Sequence, residues 1–394
     1  MTEPAHADEG FRRETRAWIA ANFPSSLAHK DPVPLRHHPE LAAREPDFAI
    51  WCERIAAKGW AVPTWPVEFG GAGLSAGQAK ITAEELGAIG AFDPLRSNGS
   101  VMLGPTVLEF GTDAQKQRYL PPIARGEERW CQGFSEPGAG SDLASLQTRA
   151  DDRGDHWLVN GQKIWTSGAN HSDWCFALVR TDVASKQGGI SFLLIDMRSS
   201  GVEARPITLI NGSTHFCEVF FTDVEVPKAN ILGEVNQGWM VAKRLMQYER
   251  AGLSEGRGEG ASLLDMARDY GGVDADGRLA DQDLRGRLIR HVMRAQAFTW
   301  TLERKAAEAK ASGSLPNDTS ALKNIGSAVS QAHAQLACEI LGNQGLGWEG
   351  QGFTDAETAV TRNWLYSRAF SIYGGSHEIQ NNITAKRVLD LPDR

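Results

Sequence analysis

G-W-M-V-A-K-R-L-M-Q-Y-E-R-A-G-L-S, Gly238 to Ser254, reads as a helix that carries one carboxylate in an apolar setting. On a helix the neighbours of Glu249 three and four positions away are Leu245, Met246, Gly252 and Leu253. No Lys or Arg falls at that spacing, so the carboxyl is expected to have a raised pKa suited to a general base. The plainer alternative is a helix-edge Glu whose head reaches water past Tyr248 and Arg250. The rest of the chain decides between the two.

Downstream of Gln237 the apolar period stays helical, over roughly 237 to 270, 281 to 312, 318 to 342 and 354 to 391. Breaks fall at Gly271-Gly272, Gly313 to Pro316 and Gly342 to Gly352, which predicts an antiparallel four-helix bundle. Upstream the period shortens. W-C-F-A-L-V-R (174 to 180), I-S-F-L-L-I-D (190 to 196) and C-E-V-F-F-T-D-V-E-V-P (217 to 227) are β-rich runs, and Asn160-Gly161 predicts a hairpin within His156 to Trp165. Before Trp130 the chain is helical again: Phe11 to Asn22, Asp47 to Lys58, Thr82 to Ile89, Gly104 to Phe110 and a helix capped at Thr112-Asp113. Pro24 to Pro46 reads as a loop-rich connection, and W-P-V-E-F-G-G-A-G-L (65 to 74) as a glycine-rich loop. The order is an N-terminal α-helical domain (1–127), a central β-domain (128–236) and a C-terminal helical bundle (237–394), an α+β architecture.

Composition narrows the function. The 394 residues suit two or three domains, and a net charge of −8 without a basic run argues against nucleic acid as partner. Cysteines 52, 131, 175, 217 and 338 form no C-x-x-C pair, which fits small buried hydrophobes rather than disulfides or a zinc site. With no H-E-x-x-H, no metal is expected. The acidic N-terminus and the lack of a long apolar run predict neither signal peptide nor membrane span, hence a cytoplasmic protein.

G-F-S-E-P-G-A-G-S-D (133 to 142) enters the β-domain as a loop where Gly138 and Gly140 let backbone N–H groups approach an anion, with Ser135 and Ser141 adding hydroxyls. Trp165-Thr166-Ser167 follows with a flat aromatic face. With S-E-P-G-A-G-S-D (135 to 142), N-G-Q-K-I-W-T-S (160 to 167), F-F-T-D-V-E-V-P (220 to 227) and I-Y-G-G-S-H-E-I-Q-N-N-I (372 to 383) in this order, nearly the whole chain resembles the acyl-CoA dehydrogenases. Within that family, 220 to 250, 367 to 380 and the terminal A-K-R-V-L-D-L-P look most like the pimeloyl-CoA dehydrogenase large-subunit group.

The resemblance implies an N-terminal helical domain, a central β-barrel domain and a C-terminal four-helix bundle, with FAD as cofactor. Gln132, Phe134 and Ser135 would line the isoalloxazine, and Ser141 would contact cofactor or substrate phosphates. Trp165 and Ser167 would shield and bond the flavin; Ser376 and Glu378 would meet it from the C-terminal motif. Glu339 and Asn343 stand where relatives hold the adenine end of a neighbouring subunit's FAD with a Gln and a Gly. Many members place the catalytic Glu directly after the Tyr of the C-terminal motif, but here Tyr373 is followed by Gly374. Others draw the base from the helix that opens the last domain, at the position of Glu249, with Arg250 beside it. Arg250, Tyr373 and Gly374 then belong to the substrate site. The implied reaction is α,β-dehydrogenation of an acyl-CoA: Glu249 takes the α-proton and flavin N5 accepts the β-hydride.

One departure stands out. The R-x-x-F-G segment that family members aim at a partner's FAD is absent from A-R-D-Y-G-G-V-D-A-D-G-R-L-A-D-Q-D (267 to 283). Either a second, related subunit supplies that Arg, or Arg278 or Arg285 replaces it. Two other readings keep the fold: a non-catalytic or half-site subunit of a heteromer, and an oxygen-using flavoenzyme. The expected partners are an electron-transfer flavoprotein and like or unlike subunits in a tetramer.

Overall fold

The computed structural model describes residues 3–253, 262–312 and 319–392. Helices come first: α1 (Glu3–Asn22), α2 (Pro32–His37), α3 (Pro39–Ala42), α4 (Pro46–Ala57), α5 (Ala76–Ala88), α6 (Gly104–Phe110) and α7 (Asp113–Arg125). The stretch expected as a loop, 24 to 46, therefore holds two short helices. Each begins on a proline whose missing N–H costs nothing there, and the Asp31 side chain accepts from Val33 N at the first. α5 starts six residues earlier than its apolar pattern predicts, because Ser75 and Gln78 form a reciprocal capping box. Thr112 caps α7 as expected, with Gln115 returning the bond.

A seven-stranded sheet follows: β1 (Trp130–Gly133), β2 (Arg149–Asp152), β3 (His156–Ser167), β4 (Trp174–Arg180), β5 (Ile190–Asp196), β6 (Val202–Ile207) and β7 (Phe216–Pro227). Its order is β1-β4-β2-β3-β7-β6, with β5 also on β4. The hairpin expected at Asn160-Gly161 does not form; β3 runs straight through it. A register shift falls between Val159 and Gly161, and the Asn160 amide bonds across to Asp223 on β7, both ways at 2.9 Å. Gly161, at φ +153, is required by proximity: a Cβ there would lie 2.5 Å from the Thr148 hydroxyl. The dipeptide makes a bulge, not a turn.

β4 and β5 are apolar on both faces because each face meets a core. Phe176, Leu178, Phe192 and Leu194 pack with Leu103, Leu120 and Leu245 from the helices. Cys175, Ala177, Val179, Leu193 and Ile195 pack with Val219 and Phe221 on the opposite side, where Cys131 and Cys217 also lie as buried free thiols. The sheet therefore curls around a core of its own.

Beyond the sheet comes α8 (Gly238–Leu253), whose Val241, Ala242 and Leu245 are fully buried in the core shared with β4 and β5. The chain divides into two compact units, residues 1–207 with 214–257 and residues 208–213 with 258–394. The second contains α9 (Leu263–Gly271), α10 (Gln282–Ser312), α11 (Thr319–Leu341), α12 (Asp355–Ser367) and α13 (His377–Arg387), around Leu263, Leu288, Leu336 and Ile340. The segment expected as one helix over 354 to 391 is two. Gly374 and Gly375 adopt positive φ, and Ser376 caps a fresh start at His377. The expected break at Gly313 to Pro316 lies outside the described residues.

Candidate active site

The first unit builds a platform from the end of β1, the loop after it and β3. Ser135 O accepts from Ile164 N at 2.9 Å, and Glu136 and Ala139 exchange backbone hydrogen bonds of 3.1 and 3.0 Å across Pro137-Gly138. Beneath the loop is an ion pair that sequence reasoning did not assign. Lys163, wholly buried, donates from Nζ to Glu136 Oε1 at 2.7 Å and to Phe134 O at 3.3 Å. Glu136 also accepts from Gln147 N at 2.6 Å and Thr148 N at 2.9 Å. Burial opposes the charge on Glu136, but Lys163 and the amides outweigh it and hold the carboxyl below its usual value. Burial draws Lys163 below the usual ammonium range, with Glu136 working against it. The signal was present in the sequence: a Lys falling on the buried alternation of a strand needs a partner inside.

Above this pair, a register shift between Lys163 and Thr166 throws Trp165 into the left-handed region at φ +61. Its indole is 53% exposed and meets Phe216 edge-on at 6.2 Å. A large aromatic held in a strained conformation and turned to solvent has little reason to be there unless something flat covers it. Gln132, Ser135 and Ser167, all half-buried, lie on this same β1-loop-β3 segment. At Gly138 and Gly140 an added Cβ would meet nothing within 4 Å, which leaves the backbone open toward Ser141. The face thus fits a flat, hydrogen-bonding ring with a phosphate arm, as FAD has. Phe134 differs from its expected role in one respect: its ring is buried edge-on against Phe176 and Phe192, both at 6.0 Å, so only its backbone faces the loop.

Glu249, in the same unit, is half-buried one turn beyond Leu245. Its helix is anchored to α6 through Glu109, which accepts from Arg244 Nε at 2.7 Å and from the Tyr248 hydroxyl at 2.6 Å. The Arg250 side chain lies outside the described residues.

In the second unit, Tyr373, Gly374, Ser376 and Glu378 share the segment that joins α12 to α13. Gly374 has φ +65 and Gly375 φ +87. Tyr373 is 39% exposed and edge-on to Phe370 at 5.8 Å, while the Ser376 hydroxyl accepts from Ile379 N. Its own amide, then Ser376, hold Glu378 below the usual carboxylate value. Glu339 lies near the far end of α11, ion-paired with Arg287 and bonded by Gln335 Nε2 at 2.9 Å; Asn343 is exposed in the turn that follows. Of the two Arg candidates for the missing phosphate contact, Arg278 lies 3.4 Å from Asp276. Arg287, a third Arg in R-G-R-L-I-R (285 to 290) that sequence reasoning did not single out, is the one placed on Glu339.

Sequence models of the acyl-CoA dehydrogenase N-terminal, middle and C-terminal domains match residues 9–127, 131–224 and 236–389. Acyl-CoA dehydrogenase IpdE1 of Mycobacterium tuberculosis is 37% identical over 397 residues, spanning 98% of both chains. Among solved structures, the Tcur3481-Tcur3483 steroid ACAD is similar with a TM-score of 0.77 at 28% identity, over 100% of this chain and 99% of that one. The ChsE4-ChsE5 complex from Mycobacterium tuberculosis gives 0.74 at 29%, again over 100% and 99%. Proteins of this kind are FAD-dependent oxidoreductases, in keeping with the platform around Trp165. The chain belongs to the acyl-CoA dehydrogenase family.

Proposed function

We propose that the chain oxidises an acyl-CoA thioester to the 2-enoyl-CoA, with Glu249 as the base that removes the α-proton. The observation that carries this is the pairing of a half-buried Glu249 on a helix seated in the main core with a glycine where many relatives keep their base. Gly374 has no side chain to accept a proton. Its N–H remains available to bond the thioester oxygen as enolate charge develops, which makes the α-proton acidic enough for a carboxylate to take. Val241, Ala242 and Leu245, buried on the same helix, give the base an apolar side that would favour its neutral form once the proton is taken. Bound FAD supplies the two-electron acceptor for the hydrogen leaving the β-carbon. Gln132, Ser135, Trp165, Ser167, Ser376 and Glu378 would hold it, Ser141 its phosphates or those of the substrate, and Arg250 and Tyr373 the acyl-CoA.

The test is an anaerobic titration of the holoprotein with a panel of acyl-CoAs, followed by flavin absorbance. The panel includes linear, dicarboxylic, branched, aromatic and steroid-derived thioesters, the last because a structurally similar protein is described as a steroid ACAD. Glu249→Gln should bind acyl-CoA and slow reduction by at least about 10²-fold. Reduction at the wild-type rate would overturn Glu249 as the base.

A second reading concerns assembly. Glu339 replaces a Gln that relatives aim at a neighbour's FAD, and here it is ion-paired with Arg287. Two structures similar to this chain are of paired, differently named subunits. A tetramer with an unlike partner that completes or borrows one FAD site accounts for both. Purified alone, such a chain would hold well under one FAD per protomer and reach full occupancy only with the partner. An electron-transfer flavoprotein is the electron acceptor in this scheme. Among the described residues no helix is long and apolar enough to cross a membrane.

A further inference from the structure

Helix α11 presents a polar stripe, Lys323, Ser327 and Gln331, spaced four residues apart on one face. Each member donates to a backbone carbonyl of the stretch from the last residue of α12 to the start of α13. Lys323 Nζ reaches Gly375 O at 2.7 Å, Ser327 Oγ reaches Phe370 O at 2.8 Å, and Gln331 Nε2 reaches Ser367 O at 3.0 Å. Asn324 Nδ2 adds a longer bond of 3.4 Å to His377 O. The stripe therefore runs antiparallel to the segment and bonds chiefly to its main chain, with one side-chain contact from Gln331 Nε2 to Ser371 Oγ at 3.2 Å.

The contact at Lys323 differs from the others in two ways. A charged donor, its charge favoured by nearby Glu378, meets a neutral carbonyl, the stronger kind of hydrogen bond. It also falls on the least constrained point of the segment. Gly374 and Gly375 follow one another at φ +65 and +87, and an added Cβ at Gly374 would meet nothing within 4 Å. Two successive glycines have no side chain to fix their peptide planes; the space beside Gly374 is open, whereas the Gln380 side chain packs directly against Gly375. The two planes that follow the Gly374 N–H are held from outside: Gln380 Nε2 donates to Gly374 O at 2.8 Å, and Lys323 holds Gly375 O. In a relative with Glu after the Tyr, that side chain would itself restrict the turn. Here the turn has lost it, and its order depends on these two donors.

We propose that Lys323 is a positioning residue for the dehydrogenation: it clamps the Gly374-Gly375 turn so that the Gly374 amide stays aimed at the thioester carbonyl. The inference rests on the acyl-CoA reading above and adds to it the group that keeps its oxyanion donor in place. Lys323 itself touches neither substrate nor flavin in this scheme.

The experiment compares Lys323→Met, Lys323→Arg and Ser327→Ala with the wild-type holoenzyme, each in its complete assembly. Backbone hydrogen–deuterium exchange over residues 367–378 is read beside kcat, KM, FAD content and thermal midpoint. Lys323→Met should speed exchange of the turn about tenfold and lower kcat about tenfold, with KM changed less than about twofold and FAD content retained. Lys323→Arg should restore most of both. Ser327→Ala removes a bond of the same stripe away from the glycine turn, and should lower the midpoint slightly while leaving kcat as it was. If Lys323→Met leaves turn exchange and kcat unchanged, or if Ser327→Ala slows kcat equally, the positioning role is overturned. Should Lys323→Met fail to fold, Lys323→Arg and Ser327→Ala decide by the same split: wild-type-like turnover in the first and an equal kcat loss in the second would refute it. A wild type whose flavin no acyl-CoA reduces overturns the acyl-CoA reading and this role with it. Normal reduction with an unaltered Lys323→Met overturns this role alone.

Discussion

The platform of the first unit and the Tyr373-Gly374 segment of the second are held in place by opposite means. Under the platform, one wholly buried ion pair between Lys163 and Glu136 ties β3 to the loop of residues 133–142. Behind the Tyr373-Gly374 segment, α11 spreads a row of half-buried single hydrogen bonds over four carbonyls. The first device fails all at once, because losing either partner strands a charge in a dry interior. The second fails piecemeal, because water can replace each bond. The platform is thus fixed by one deep contact and the glycine turn by several shallow ones.

The widest break in that comparison should come from Lys163→Met. It leaves the Glu136 carboxylate buried with only amides as partners, a loss of about 3–5 kcal/mol. The thermal midpoint of the apoprotein should fall by roughly 10 °C. Adding Glu136→Gln removes the stranded charge and should recover at least half of the loss. If the double variant is no more stable than the single one, the pair is not the determinant of the seat. No single replacement in the α11 stripe should reach that size.

Whether a feature was legible in the sequence follows the same division. Local signals carried far: the Thr112 cap and the extents of α6, α10 and α11 all follow from spacing within a few residues. The family motifs drew attention to Trp165, whose strained backbone and exposed ring only the fold reveals. Non-local partners were invisible. Lys163 and Glu136 are 27 residues apart, and Lys323 and Gly375 are 52 apart, so only the fold shows that they meet. Asn160-Gly161 misled for a related reason. The dipeptide satisfies a turn or a bulge equally well, and Asp223 on β7, 63 residues from Asn160, settles which. The segment 354 to 391 kept its apolar pattern across a break that serves the site, where local regularity gives way to a pair of glycines.

Trp165 offers a way to sharpen the contrast without disturbing the buried pair. Its left-handed backbone costs about 1–2 kcal/mol in a residue with a Cβ, and glycine removes that cost while adding its own entropic one. The two nearly cancel, so Trp165→Gly should move the apoprotein midpoint by less than about 2 °C. If the indole covers the flavin as proposed, FAD affinity measured by flavin fluorescence should fall about tenfold. Unchanged affinity would mean that the exposed indole serves another ligand. A large loss of stability in the apoprotein would mean that it is packing, not platform.

The smallest expected effect tests whether burial of the cation, rather than ion pairing itself, sets the difference. Glu85 is as buried as Glu136, but Lys163 is wholly buried and the arginines that pair with Glu85 are not. Glu85 on α5 pairs with Arg16 and Arg12 of α1 at 2.7 and 2.8 Å, but both guanidiniums reach water. The Arg16 bond, then that of Arg12, brings the Glu85 carboxyl down to about 2. Because this lies below the unfolded value near 4.5, the pair's stabilisation is fully present above pH 4.5 and is lost as the pH falls toward 2. Solvent screens the pair, so Glu85→Gln should lower the thermal midpoint at pH 7 by only about 2 °C, with the gap to wild type closing between about pH 4.5 and 2.5. A gap as wide as that of Lys163→Met would show that carboxylate pairs in this fold stabilise alike wherever they sit. A gap that persists at about pH 2.5 would show that Glu85 acts through packing rather than through its charge.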